Sequence, residues 1–176
     1  MTAFKARPVH IISPEGDTIL RTRHAGGEEI LLVSRRVLLR ASKRFQELLG
    51  PMRLPSEPFQ SIEELEVPDD CGAAMLTICN VLHGRDDEVS LRPTLPELSN
   101  IALCCAKYQV TRELSPWSRK WLAHAYSDEE AASSGLLLEA AFNLGASMGV
   151  SKDHKCQSHR PSVFDELDTQ GLTPHH

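Results

Sequence analysis

No apolar run in this chain approaches the about 18 residues that a membrane-spanning helix requires. Its first twelve residues, MTAFKARPVHII, lack the apolar core of a secretory signal. Both absences point to an intracellular protein with no membrane partner, and they do not separate nucleus from cytoplasm. Positive charge is in short supply too. Nineteen Lys and Arg face 24 Asp and Glu, for a formal net charge of -5. That balance argues against a sequence-independent grip on nucleic acid, which needs a basic surface. No zinc-finger spacing or basic region is present. Also missing are a glycine-rich phosphate loop, a nucleophile elbow and a His-Glu-x-x-His helix. The expectation is a protein that is not an enzyme and carries no cofactor.

Cysteine is sparse and odd in number: Cys71, Cys79, Cys104, Cys105 and Cys156. Scattered through apolar helical patterns, these read as reduced, buried thiols. Metal binding finds little support in their spacing. Cys104 and Cys105 are adjacent on a helix and point about 100° apart. Cys71 and Cys79 lie about two turns apart. His154, Cys156 and His159 form the one tight donor group, without a framework around it. His83 sits at a helix end beside Gly84, where an imidazole commonly caps carbonyls. The carboxylates Asp69, Asp70, Asp86, Asp87 and Glu88 fall at a helix start and in a turn, where capping and solvation account for them.

What is present is organised around residues 28–49, EEILLVSRRVLLRASKRFQELL. Ile30, Leu31, Leu32 and Val33 read as a buried strand after the Gly26-Gly27 turn. The period then changes. Val37, Leu38, Ala41, Phe45, Leu48 and Leu49 recur at helical spacing, with Arg35, Arg36, Arg40, Lys43 and Arg44 between them. Ser34 is placed to cap this plug helix, and Ser42 to break or re-cap it.

Elsewhere, residues 9–13 read as a strand, and residues 17–33 as a hairpin. Pro51, Pro55 and Pro58 mark a loop. Ile62, Leu65 and Val67 suggest a further strand, after which Asp69 or Asp70 would cap a helix ending at Gly84. Thr94 and Glu97 form a capping box for the next helix. Thr111 is expected to open another, and Asp128 a last one through Leu136–Leu144. Residues 151–176 are polar and poor in apolar side chains, which predicts a disordered tail. The fold class is α+β, a small sheet capped by a cluster of helices and helical hairpins.

Four stretches together are similar to the BTB/POZ domain, in the form common in filamentous fungi. They are Gly16-Asp17-Thr18-Ile19-Leu20; Ser34 to Leu38 with Ala41 to Phe45; Leu65 to Asp70; and Leu82-His83-Gly84-Arg85 with Ala106-Lys107-Tyr108, Leu114 to Trp117 and Lys120-Trp121-Leu122. The resemblance covers residues 8–125, leaving residues 126–150 as a C-terminal helix packed on the domain. It departs from the family at Ser34, where many members have His, and at Ala106, where many have Asp. The resemblance implies a charged pocket of Asp17 with Arg35. It also implies pairing through the N-terminal strand and first helix, here Val9, Ile11, Ile12, Arg36 and Arg40. The implied function is a protein–protein interaction module that pairs with itself or with another BTB protein. The alternatives are a cullin ubiquitin-ligase adaptor, although residues 48–54 hold no good copy of the apolar-x-Glu cullin motif, and a transcription-regulator fragment.

Overall fold

The computed structural model describes residues 9–24, 27–50, 62–68, 70–128 and 134–146. It is α+β: a four-stranded mixed sheet with six α-helices among the described residues. The strands are β1 (Val9–Ile11), β2 (Thr18–His24), β3 (Gly27–Val33) and β4 (Glu63–Pro68), in the order β1-β3-β2-β4. The expected hairpin is there, with β2 antiparallel to β3 and Leu20 opposite Leu31. Both outer strands run parallel to their neighbours. Val9, His10 and Ile11 pair with Ile30, Leu31 and Leu32, while β4 lies along β2 with Leu65 opposite Leu20.

Alternation gives this sheet one buried face and one face toward solvent. Leu20, Leu31, Val33 and Val67 point into the core with Thr18 and Thr22. Helix α3 (Gly72–Leu82) packs across β2 and β3 on that side. The approach is close: a Cβ on Gly72 would lie 2.8 Å from Thr22 Oγ1. Gly84, at φ +69°, ends α3, with its N–H on Val81 O and the Arg85 N–H on Asn80 O. This is a Schellman closure, which favours glycine.

The plug is two seven-residue helices, α1 (Arg35–Ala41) and α2 (Lys43–Leu49). Ser42 separates them in extended conformation, and its Oγ accepts the N–H groups of Arg44 at 3.0 Å and Phe45 at 3.3 Å. The re-capping expected of Ser42 is what the structure has. Ser34 differs: it occupies the N-cap position of α1, but its side chain makes no cap bond.

Helix α4 (Leu95–Tyr108) starts as expected, with Glu97 accepting the Thr94 N–H at 2.7 Å. Helix α5 begins later than expected, at Ser115 rather than Thr111, and runs to Tyr126. Residues 111–114 are a turn, and Pro116 takes the first turn of the helix, where its missing N–H costs nothing. The last described helix, α6 (Gly135–Asn143), is capped by Ser134 and packs mainly on α4, with a smaller contact to α5. The expectations for Asp69, for the Pro51–Pro58 loop, for a helix start after Asp128 and for the tail at 151–176 fall outside the described residues. Among the described residues no helix is long and apolar enough to cross a membrane.

Candidate functional site

The solvent face of the sheet is divided by chemistry. Register places Ile11, Leu32, Ile19 and Glu64 in one row across the four strands, and Val9, Ile30, Arg21 and Glu66 in the next. The β1–β3 side is therefore aliphatic. Val9 and Ile11 are 59% and 56% exposed, and Ile19, Ile30 and Leu32 are partly exposed beside them. The β2–β4 side is charged. Arg21 reaches both neighbouring strands, donating to Glu28 on β3 at 3.0 Å and to Glu64 on β4 at 3.1 Å. Those bonds push the guanidinium pKa up further. Among the described residues no helix covers this face, and β1 is an edge strand of the sheet, its Ile11 carbonyl accepting from Arg85 at 2.6 Å. An apolar patch rimmed by charge on an edge strand is a usual form of interface.

Ile12 does not belong to this surface, contrary to the expectation. It is 4% exposed and part of the core. β1 ends at Ile11, and the chain turns inward there, with the Ile12 and Ser13 N–H groups both on Leu32 O. A proline boundary at Pro8 gave no hint of that turn. Arg36 and Arg40 are exposed on α1, as expected of an outer helix face.

Asp17 and Arg35 do meet, through the main chain and not as a side-chain pair. Asp17 Oδ1 accepts the Arg35 N–H at 2.7 Å, so the carboxylate takes over the capping that Ser34 leaves undone. The buried Arg35 guanidinium goes elsewhere, donating to Glu63 on β4 and to the Leu49 carbonyl at the end of α2. Arg35 thus ties β4 to both plug helices. The competing partner, Glu63, becomes available only because β4 pairs next to β2.

His83 closes the same corner. Its Nδ1–H donates to Cys79 O at 2.8 Å, as a helix-end cap, and its Nε2 accepts the Ser34 N–H at 3.0 Å. This arrangement requires the neutral ring. Burial lowers the His83 pKa below its usual 6.5, and nearby Arg85 lowers it further, against the opposing pull of the Cys79 carbonyl.

A second polar cluster lies under the helices. Of the two expected caps for α3, Asp69 lies outside the described residues and Asp70 is not the cap, since the N-cap position belongs to Cys71. Asp70 is instead buried, accepting from the Tyr108 hydroxyl and from Lys107 Nζ, the latter at 2.7 Å. An acid distant in sequence thus meets the Lys107–Tyr108 pair. The Tyr108 ring stacks on Phe45, with centroids 4.8 Å apart, and the Ser42 hydroxyl donates to Tyr108 O. Plug, α3 and α4 are fastened to one another here. Burial first, then the bond to Asp70, raises the phenol pKa above its usual value.

Burial pushes the thiols of Cys79, Cys104 and Cys105 up to about 12, so they stay protonated near neutrality. Among the described residues no group of three or more His, Cys, Asp and Glu could hold a metal ion. The His154, Cys156 and His159 group is outside them. In comparisons with known proteins, no family model and no curated protein matches this chain.

Proposed function

We propose that this chain is a BTB/POZ-type interaction module, which pairs with itself or with another such domain and works without catalysis or cofactor. The observation that carries the reading is the aliphatic half of the outer sheet face, Val9 and Ile11 above all, whose side chains are exposed on an edge strand. An intramolecular role would bury these side chains; a pairing role needs them outside. The Asp17–Arg35 and Asp70–Tyr108 anchors support it as the means of holding that face rigid. In this reading the protein works inside the cell.

The test is the solution mass of the full chain by light scattering, over about a hundredfold range of concentration, since self-association follows mass action. The expected result is twice the monomer mass at low micromolar, reverting to monomer in a Val9→Lys, Ile11→Lys variant of unchanged thermal stability. A monomer throughout would reject self-pairing.

A further inference from the structure

A second open surface lies between the plug and α3. Val37 and Ala41 on α1, with Val81 and Leu82 at the end of α3, line a groove of about 430 Å³. All four are partly exposed. Arg40 and Glu113 flank it. Arg36 lies one turn before Arg40 on the same helix row, and Lys43 follows just past Ser42. Arg36, Arg40 and Lys43 are exposed, and none has an ion-pair partner among the described residues. Such a groove calls for an occupant that is apolar in the middle and acidic toward α1.

The last described residues end at Ala146, next to Gly145, which packs on Thr111. Gly145 closes α6 at φ +65°, and a Cβ there would sit 2.9 Å from Thr111 Cγ2. Thr111 is two positions from Glu113. Downstream the sequence first turns basic, with Lys152, Lys155 and Arg160, and then reads Val163-Phe164-Asp165-Glu166-Leu167-Asp168. That order of charge is complementary to the groove: a cation for Glu113 precedes three carboxylates for Arg36, Arg40 and Lys43. The roughly 16 intervening residues extend to about 50 Å, ample for the crossing.

We propose that residues 163–168 of this chain dock in the α1–α3 groove. Phe164 and Leu167 sit against Val37, Ala41, Val81 and Leu82, while Asp165, Glu166 and Asp168 pair with Arg36, Arg40 and Lys43. The inference goes beyond the pairing role and stands apart from it, since Val9 and Ile11 are on another face. It assigns Arg36 and Arg40 an occupant from the same chain.

Lys43 supplies the test. A carbodiimide joins a lysine amine to a carboxylate only where the two touch. An equal mixture of light and isotope-labelled full-length chains, treated at low micromolar and mapped by mass spectrometry, separates links within a chain from links between chains. The expected result is an intrachain link from Lys43 to Asp165, Glu166 or Asp168. Its yield should fall about tenfold or more in Phe164→Ser, Leu167→Ser, and likewise in Arg36→Ser, Arg40→Ser, as the effective local concentration is lost. The first variant leaves every described contact in place, so misfolding cannot produce its result. No link at Lys43, a link only between chains, or a yield that survives both variants would overturn the proposal.

Discussion

Tyr108 holds a hydroxyl where water cannot take its place. Its partner Asp70 is 4% exposed and depends on that bond and on Lys107 for company. Tyr108→Phe keeps the stacking on Phe45 and strips one donor from a buried carboxylate, so the expected loss is about 2–3 kcal/mol of unfolding free energy, measured by urea titration. His83 gives a pH signature instead. Its folded pKa lies below 6.5, so the unfolded chain binds more protons as the medium turns acid. Its contribution is whole above the unfolded value of about 6.5 and is lost as pH falls through the lowered folded value. Urea midpoints followed from about pH 8 to about pH 5 should drop in the native chain, and drop less in His83→Gln. At this scale the sequence was half legible. Ser42 and the Thr94–Glu97 box could be read because their partners are local. Asp70 misled, because a carboxylate ahead of a helix looks like a cap unless Tyr108, far along the chain, is known to be beside it.

The helices end with more information than they begin. α4 closes on Gln109 at φ 55° and ψ 41°, a left-handed conformation on a residue with a Cβ. The Val110 N–H reaches back to Cys105 O, completing the closure that α3 makes with Gly84. Gln109→Gly relieves the left-handed strain and loses some backbone entropy, for an expected gain of about 0.5–1 kcal/mol, read as a higher denaturant midpoint. Gly145→Ala does the reverse at the end of α6. The new methyl meets both a positive φ and Thr111, and the expected loss exceeds about 1 kcal/mol by the same titration. Helical periodicity located α1 to α4 because each presents one apolar stripe to one core. It placed the start of α5 early because the 111–114 turn hydrogen-bonds much like a helix, with Leu114 N–H on Val110 O, until Pro116 fixes the true first turn. The hairpin was legible for the same reason as the helices: its strands are neighbours. Two parallel pairings, β1 with β3 and β2 with β4, leave no local mark.

The molecule as a whole sorts its charge. One half of the outer sheet carries the Arg21, Glu28 and Glu64 lattice, the other is aliphatic, and Arg36 and Arg40, without an ion-pair partner among the described residues, lie exposed on α1. The α+β class and the sequence of elements followed from periodicity. Which residues would face outward did not, since Ile11 and Ile12 are alike in character and alternation separates them only once the pairing of β1 is known.

The sheet topology also sets an order of assembly. Arg21 and Glu28 are separated by 7 positions along the chain, Arg21 and Glu64 by 43. Closing the hairpin is quick and entropically cheap; bringing β4 alongside β2 requires a much longer loop to find its end. A transition state built on the hairpin would already contain Leu31 packed against Leu20, with Val67 still to arrive. Leu31→Ala should therefore slow refolding, whereas Val67→Ala should chiefly hasten unfolding, and the two limbs of a chevron plot separate those outcomes. Ile19, Ile30 and Leu32 would then stand on the hairpin, briefly and unsupported, before β4 and its carboxylates are in place beside them.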